Sequence, residues 1–364
     1  MHPPRRILLA QTSFLGDVVL TTPLARVLAE GLADVEIWWL VRPDAQALIA
    51  PLAGRERVLI FDKRGRASGP RGLWRSACEL RAIGFDAAIA VQRSTRTALL
   101  LALAGIPLRV GFAGAPATRL YHRKVAPRGA HARDRLLALA AGLGLVVPDS
   151  PPDPELRVDE DAAGRVAQSL REAGLADDAR LLVVAPGSAW ATKRWPARGF
   201  AAAAAALAPE IDAVVVVGGP GDAALAREIG AGLAGRRSGL PEVVDLCGRT
   251  DTAGLVAAIA RARLVIANDS APGHVAAALG RPLVSIFGPT VPAFGFAPLG
   301  PLVCVVERDL DCRPCARHGG DACPLRTHAC MESIEVASVA DAAREVLARA
   351  DRARAADRDA ARRA

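Results

Sequence analysis

LVIANDSAPGHVAAALGRPLVSIF, residues 264–287, is the stretch of sequence that decides the fold. It opens with a short apolar run, Leu264–Ala267, passes through a polar turn and an Ala-rich segment, and closes with a second apolar run, Leu283–Phe287. Short apolar runs bounded by turn residues are typical of buried strands, and the segment near His274–Leu279 between them reads as a helix. The stretch therefore predicts a strand–helix–strand unit of the kind that builds α/β proteins.

The same alternation continues through the chain on both sides of this stretch. It predicts further strands near Ile7–Ala10, Glu36–Val41, Val58–Phe61, Ala87–Val91, Arg109–Gly111, Leu181–Ala185, Ala213–Val217 and Val243–Leu246. It predicts further helices near Val18–Glu30, Leu73–Ile83, Thr95–Ala104, Phe200–Leu207, Ala223–Leu233 and Leu255–Ala262. The predicted fold class is α/β, with two doubly wound, Rossmann-like domains.

A proline-rich segment separates the two halves of this pattern. Pro148–Pro154 holds four prolines, which neither a helix nor a central strand accommodates. A chain of 364 residues is also long enough for two domains. We therefore predict domains over 1–150 and 151–338, followed by a C-terminal helix and basic tail over 339–364. Because open α/β sheets bind ligands at the carboxyl ends of their strands, we expect the two domains to face each other across a cleft.

The composition favours a cytoplasmic protein that handles phosphorylated ligands. The net charge is +8, yet only 4% of residues are aromatic, so the stacking platforms of nucleic-acid-binding proteins are missing and no nucleic-acid partner is expected. The longest apolar segment, Ala98–Ile106, is too short to span a bilayer. Only four apolar residues lie between Met1–Arg6 and Gln11, and a signal peptide needs a longer apolar stretch. A basic protein of this kind fits phosphate-bearing substrates at a membrane surface.

The first motif with candidate chemistry is Gln11–Asp17, between the first predicted strand and helix. Gly16 permits a tight turn, and Asp17 would lie at the start of the helix. A carboxylate in that place is a good helix N-cap, which is the purely structural interpretation. The functional interpretation is a carboxylate at the strand edge that removes a proton from a hydroxyl group.

The second motif combines a Gly/Ser turn with two adjacent cations. Gly187 and Ser188 follow a predicted strand, and Lys193 and Arg194 come shortly after them. Backbone N–H groups, a hydroxyl and a lysine in this arrangement are suited to bind a diphosphate. The structural alternative is a solvated basic loop, with Trp195 packed onto its own domain.

The third motif lies inside the opening stretch, where Asp269, Ser270, Gly273 and His274 connect strand to helix. Each polar residue could by itself cap the helix, and His274 could be a structural core residue. Together they form a helix start that can bind anions and hydroxyl groups. A weaker signal is the turn Gly218–Asp222, which any Rossmann-type crossover could contain.

The ordered set of motifs resembles the heptosyltransferases of lipopolysaccharide core assembly, glycosyltransferase family 9. The resemblance extends to about residue 335 and rests on Ser13-x-x-Gly16-Asp17, Pro186-Gly187 with Lys193-Arg194-Trp195-Pro196, and Asn268-Asp269-Ser270 with His274 and Gly288-Pro289-Thr290. It is closer to the branch that adds the second heptose. It implies a GT-B fold and an enzyme that transfers heptose from ADP-L-glycero-D-manno-heptose to a lipid A-core acceptor, with inversion and without a catalytic metal.

The resemblance also implies roles for individual residues. Asp17 matches the general base, and Lys193 matches the residue that stabilises the departing diphosphate. Asp269 matches a donor-sugar contact, Ser270 belongs to the phosphate cradle, and Asp222 lies near the ribose. The remaining predicted substrate-binding residues are Ser13, Gly16, Gly187, Ser188, Arg194, Gly273 and His274. The family's lipid acceptor implies peripheral contact with the inner face of the cytoplasmic membrane of a Gram-negative cell envelope.

Four cysteines, Cys312, Cys315, Cys323 and Cys330, fall within a Pro- and Gly-containing stretch, residues 312–330, here called the Cys-rich insertion. Thiols at this density in a reducing compartment predict a structural zinc site, with an iron–sulfur cluster as a weaker alternative. The other interpretation is four free or oxidisable thiols. Four protein ligands would leave a metal no open position, so we expect no role for it in catalysis.

Two other functions remain open at this level. One is a different GT-B enzyme, using another nucleotide sugar or epimerising a sugar nucleotide. The other is a metal-containing binding module whose transferase site is dead. A dinucleotide-dependent oxidoreductase is disfavoured, because Thr12–Asp17 lacks the three-glycine fingerprint of such sites.

Overall fold

The computed structural model describes residues 4–234 and 242–363, and the chain divides into two compact units, Met1–Arg157 and Val158–Ala364. The first unit has strands β1 Arg6–Ala10, β2 Glu36–Val41, β3 Val58–Ile60, β4 Ala87–Ala90, β5 Leu108–Phe112 and β6 Arg123–Val125. Its helices are α1 Leu15–Val19, α2 Thr22–Gly31, α3 Gln46–Ala53, α4 Gly69–Ile83, α5 Thr95–Leu103 and α6 Ala132–Leu137.

The second unit repeats this organisation with longer helices. Its strands are β7 Leu181–Ala185, β8 Ala213–Val216, β9 Glu242–Asp245, β10 Ala262–Asn268, β11 Leu283–Phe287 and β12 Val303–Glu307. Its helices are α7 Glu160–Glu172, α8 Ala197–Ala206, α9 Ala223–Ala234, α10 Thr252–Ala260, α11 Ala271–Ala278, α12 Ala329–Glu332 and α13 Val336–Arg363.

Both sheets are parallel and share one topology. The strand order is β3-β2-β1-β4-β5-β6 in the first unit and β12-β11-β10-β7-β8-β9 in the second. Numbered within each unit, both orders read 3-2-1-4-5-6, which is the Rossmann arrangement. The α/β class with two Rossmann-like units is confirmed. The order reverses between β1 and β4, and between β7 and β10, and ligands of such sheets bind at those points.

The central strands are buried because helices cover both faces of each sheet. Ile7–Ala10 in β1 and Leu182–Val184 in β7 have no exposed surface. The first half of α13 closes the second core with Val339, Ala343, Val346 and Leu347, packing beside α8 and β10–β12. In the described chain, no helix combines the length and apolarity that a bilayer span requires.

The proline-rich segment is held to the first unit. Arg133 Nη1 bonds to Asp153 Oδ1 at 2.9 Å, and the Glu155 N–H donates to Thr22 Oγ1 at 3.0 Å. The structure has two strands that were not predicted, β6 and β12, each at one edge of its sheet. Strand β6 carries the exposed Arg123 and Lys124 in place of an apolar run, whereas β12 lies in the apolar run Leu302–Val306 and was overlooked.

Candidate functional site

In the first unit, the loop after β1 carries the Ser13–Asp17 motif. Helix α1 begins at Leu15 with Phe14 as its N-cap, so Asp17 lies in the first turn and is not the N-cap. The Asp17 carbonyl accepts hydrogen bonds from Gln11 Nε2 (3.2 Å) and Thr21 Oγ1 (2.7 Å). These bonds fix the backbone that presents the half-buried Asp17 carboxylate.

Ser13 and Gly16 lie in the same turn as Asp17. Ser13 Oγ donates to Gln11 Oε1 at 2.6 Å, and Gly16 is buried. Gln11 therefore contacts both ends of the motif, since its amide nitrogen bonds to the carbonyl of Asp17. The structure brings all three predicted residues together at the carboxyl end of β1, which is the ligand-binding edge of the sheet.

A cluster of cations adjoins this loop, and sequence reasoning missed it. Lys63 follows β3, and its Nζ donates to the Thr12 carbonyl at 3.4 Å, while Arg96 Nη1 donates to the Lys63 carbonyl at 3.4 Å. Burial, together with the positive charges of Arg96 and Arg42, lowers the pKa of Lys63. Arg42 is paired with Asp44 at 2.9 Å, whereas within residues 4–234 and 242–363 no carboxylate acts on Lys63. An anionic ligand would relieve this repulsion.

In the second unit, the loop after β7 brings Gly187, Ser188 and Arg194 together. Arg194 donates to the Ser188 carbonyl through Nη2 at 2.7 Å and Nε at 3.1 Å. The guanidinium thus fixes the fold of its own loop. Trp195 is 2% exposed and packs edge-on against Phe200, with ring centroids 5.0 Å apart, as the structural interpretation predicted.

Asp222 approaches the same loop from the turn after β8. Its Oδ2 accepts from the Gly219 N–H at 2.9 Å. A Cβ added to Gly187 would lie 2.4 Å from that oxygen, so only glycine lets the carboxylate approach this closely. The structure therefore places Asp222 beside the predicted phosphate loop.

Lys193 and Asp269, taken from two separate motifs, form one ion pair. Lys193 Nζ lies 2.5 Å from Asp269 Oδ2, and the two side chains are 12% and 10% exposed. Thr290 Oγ1 donates to the same Oδ2 at 2.7 Å. The pair forms because β7 and β10 are neighbours, with Ala185 opposite Ala267, so their following loops meet. A desolvated ammonium held in this way is suited to a diphosphate.

Asn268, which was not singled out as a site residue, ties these loops together. Its Oδ1 accepts from the Trp195 N–H at 3.0 Å, and its Nδ2 donates to the Pro186 carbonyl at 2.7 Å. The signal available in the sequence was position, because Asn268 is the last residue of β10. Lys63 likewise follows a strand, so the strand-end rule applied to every strand would have found it, whereas Thr290 belongs to the Gly288-Pro289-Thr290 motif that the sequence analysis quotes.

The remaining predicted residues of the third motif surround the start of α11. Ser270 is the N-cap, but its Oγ donates to the Asn268 carbonyl at 3.1 Å and caps no helix N–H. Gly273 faces the interior, where an added Cβ would meet Pro298 at 3.4 Å. His274 is 8% exposed and lies in the first turns of α11.

The predicted zinc site at the Cys-rich insertion is not confirmed. Among the described residues, no group of three or more His, Cys, Asp or Glu side chains is arranged to hold a metal ion. The four thiols have different surroundings: Cys330 is buried in the second core beside Met331, whereas Cys315 is exposed. Burial raises the pKa of Cys330 to about 11. Packing of α12 onto the core, which cysteine spacing does not reveal, sets this difference.

Comparison with known proteins gives consistent results. Residues 73–323 match the family described as "Glycosyltransferase family 9 (heptosyltransferase)". Lipopolysaccharide heptosyltransferase 1 of Pseudomonas aeruginosa is 29% identical over 329 residues, covering 86% of each chain. Lipopolysaccharide heptosyltransferase 2 of Escherichia coli is 29% identical over 312 residues, covering 79% of this chain and 84% of that protein.

Solved structures resemble this chain over nearly its whole length. The family 9 glycosyltransferase of Veillonella parvula has a TM-score of 0.81 at 25% identity, covering 95% of this chain and 98% of that one. The E. coli ADP-heptose lipopolysaccharide heptosyltransferase II has a TM-score of 0.77 at 24% identity, with 95% and 99% coverage. At 24% identity, the second likeness concerns the fold.

Proposed function

Since this chain belongs to glycosyltransferase family 9 and has the GT-B fold, we propose that it transfers a heptose from ADP-L-glycero-D-manno-heptose to the lipopolysaccharide inner core. The observation that carries the proposal is the buried Lys193–Asp269 pair beside the glycine loop of the second unit. Overall identity does not distinguish the first-heptose type from the second, because relatives of both types are 29% identical to this chain. We therefore assign the enzyme to the second-heptose type on the motif resemblance.

On the donor side, the second unit supplies positive charge for the leaving diphosphate. Lys193 and the N–H groups at the start of α11 would take up the charge that develops as the bond to the sugar breaks. Asp269 would then contact the donor sugar, and Asp222 would accept a ribose hydroxyl. Gly187 and Ser188 would let the backbone approach the phosphates closely.

On the acceptor side, the first unit supplies a base and a cationic surface. Asp17 would remove the proton of the attacking hydroxyl, which contributes roughly two to four orders of magnitude in rate. Lys63, Arg42 and Arg96 would bind anionic groups of a core-type acceptor, because these cations lie close together beside the loop that carries Asp17. A single displacement with one base and one stabilised leaving group inverts the anomeric carbon.

Catalysis in this proposal needs no metal, because Lys193 and a helix N-terminus provide the electrostatic stabilisation. Structural zinc at the Cys-rich insertion stays a prediction. Elemental analysis of the purified protein tests it: one equivalent of zinc per chain supports the site, and none contradicts it.

Peripheral contact with an anionic membrane is also part of the proposal. Helix α4 exposes 54% of Trp74, and the Arg81 guanidinium lies 5.9 Å from its ring centre. Arg71 and Arg75 are exposed on the same helix. Tryptophan and arginine together are suited to the interface between lipid headgroups and acyl chains.

The test is transfer measured by mass spectrometry with ADP-heptose and a Kdo-lipid A acceptor, with and without a first heptose. We expect a mass gain of one heptose on the acceptor that already carries one. A gain on the other acceptor alone would keep the activity and change the enzyme type. Binding of a different nucleotide sugar without any gain would discard the heptose assignment, and donor binding without turnover would indicate a dead binding module.

A further inference from the structure

The Cys-rich insertion contacts both loops that hold the Lys193–Asp269 pair. One group of contacts reaches the residues next to Lys193, and another reaches the segment that ends in Thr290. These contacts lie within the second unit and involve no thiol. They give the insertion a role that does not depend on what its cysteines bind.

On the Lys193 side, the insertion holds Thr192. Thr192 Oγ1 donates to the Gly320 carbonyl at 2.9 Å and accepts from the Gly320 N–H at 2.8 Å. The Thr192 N–H donates to the same carbonyl at 3.1 Å, and its own carbonyl accepts from His328 Nε2 at 2.8 Å. Thr192 is 5% exposed, so every polar group of this residue is engaged by the insertion.

Gly319 brings the backbone of the insertion against the Lys193 side chain itself. A Cβ at this position would lie 3.2 Å from Lys193 Cγ and 2.8 Å from Trp190 Cβ. The residue also has φ +95°, which favours glycine. The aliphatic stem of Lys193 therefore runs along a backbone surface, which restricts the rotamers that a lysine otherwise samples.

On the Asp269 side, the insertion acts through Arg313. Its side chain is 4% exposed. Nη2 donates to the Thr290 carbonyl at 2.9 Å and to Glu307 Oε2 at 2.7 Å, and Nε donates to the Gly288 carbonyl. The Cys315 N–H donates to the Pro289 carbonyl at 3.2 Å. Arg313 thus fixes the segment from which Thr290 bonds to Asp269.

We propose that Thr192 and Arg313 are positioning residues, through which the Cys-rich insertion fixes the position of the Lys193 ammonium. This inference rests on the proposed function, in which Lys193 stabilises the departing diphosphate. Misplacing a catalytic group by about 1 Å can cost about 100-fold in rate. A lysine on a four-carbon stem needs such external support, and the insertion provides it from both sides.

The test is a double-mutant cycle between Thr192 and Lys193. Thr192→Val keeps the shape and removes the hydroxyl, and Thr192→Ser restores it. We expect Thr192→Val to lower kcat about 10-fold with little change in the donor KM, because the loss falls on the transition state. Thr192→Ser should recover most of kcat. In a Lys193→Ala background, Thr192→Val should change kcat less than about 2-fold, since there is no ammonium left to position.

A second test uses Arg313→Lys as the test variant and Arg317→Ala as its control, since both arginines lie in the insertion. Arg317 is exposed, so Arg317→Ala should behave as wild type. Arg313→Lys keeps the charge but loses the planar guanidinium that donates to several acceptors at once. It should lower kcat when Lys193 is present and have little effect in the Lys193→Ala background, as for Thr192→Val. Isothermal titration with ADP gives a readout that needs no turnover. ADP carries the negative charge that the diphosphate gains on leaving the sugar, so its affinity should fall in Thr192→Val even though the donor KM changes little. The affinity should stay unchanged in Arg317→Ala.

Two outcomes would overturn the inference while leaving the proposed function intact. One is a kcat loss of the same size in the presence and absence of Lys193, which would indicate a general structural effect. The other is wild-type kcat and ADP affinity in Thr192→Val and Arg313→Lys. Wild-type turnover by Lys193→Ala would instead refute the role of Lys193 in the proposed function, and the inference with it.

Discussion

Replacing Asp269 with asparagine removes the negative charge that pairs with Lys193 and leaves the shape of the side chain at position 269 almost unchanged. In the wild type, the ammonium and the carboxylate lie 2.5 Å apart, and about a tenth of each side chain is exposed. The amide of Asp269→Asn can still accept from Thr290, so the neutral contacts survive. The variant therefore leaves a cation in a poorly solvated place without a counter-charge.

The size of the effect follows from this burial. Removing one partner of a buried ion pair costs about 3–5 kcal/mol, and the retained acceptor places this variant near 3 kcal/mol. In a unit of about 200 residues, 1 kcal/mol shifts Tm by about 2–4 °C. We expect Tm to fall by about 6–12 °C without ligand. ADP restores a negative charge next to Lys193, so it should raise Tm by more in the variant than in the wild type.

Thermal unfolding followed by circular dichroism, with and without saturating ADP, measures both quantities. ADP lacks the heptose, so any contact of Asp269 with the transferred sugar does not enter. Two control variants separate the effect of charge from that of packing. Thr290→Val should lower Tm by only a few degrees, and ADP should raise its Tm by no more than it raises that of the wild type. The double variant Lys193→Met/Asp269→Asn should recover stability and lose the ADP effect. An ADP response in Asp269→Asn equal to that of the wild type would refute the reasoning.

Three further predictions concern the reaction. Asp17→Asn should lower transfer by about 10²–10⁴-fold while the Kd for ADP in calorimetry stays unchanged; near-normal turnover would remove Asp17 as the base. Acceptor affinity should fall as pH rises through the lowered pKa of Lys63, because the ammonium is then lost, and Lys63→Arg should abolish the fall in titrations that stay below the ordinary pKa of lysine. Excess EDTA should leave the initial rate unchanged, whereas immediate inactivation with an intact circular dichroism spectrum would contradict metal-free catalysis.

Sequence periodicity predicted the central strands of both sheets because each is a continuous apolar run. The same reasoning missed β6 and β12. Arg123–Val125 is short and exposes two of its three residues, so it is specified by its pairing with β5, a long-range property that a window of sequence does not contain. Strand β12 had a usable signal, because Leu302–Val306 is a continuous apolar run, and the prediction overlooked it.

The sequence predicted the motifs of the candidate site one by one, but it did not predict which of their side chains contact each other in space. Lys193 and Asp269 are 76 positions apart, and only the adjacency of β7 and β10 joins them. Lys63 was missed because a single lysine carries no pattern, although its place after a strand was a usable signal. The cysteine spacing predicted a metal site, but spacing does not report that packing buries Cys330 and leaves Cys315 exposed.

The packing of α13 constrains the order in which the protein can fold during synthesis. Residues 336–350 cover one face of the second sheet, and Val339, Ala343 and Val346 are completely buried there. The first unit, by contrast, ends at Arg157. On the ribosome, the first unit can fold as soon as it emerges, whereas the second must wait with its apolar sheet exposed until Ala350 has been made. During that interval the uncovered apolar face is the part of the nascent chain most prone to aggregate.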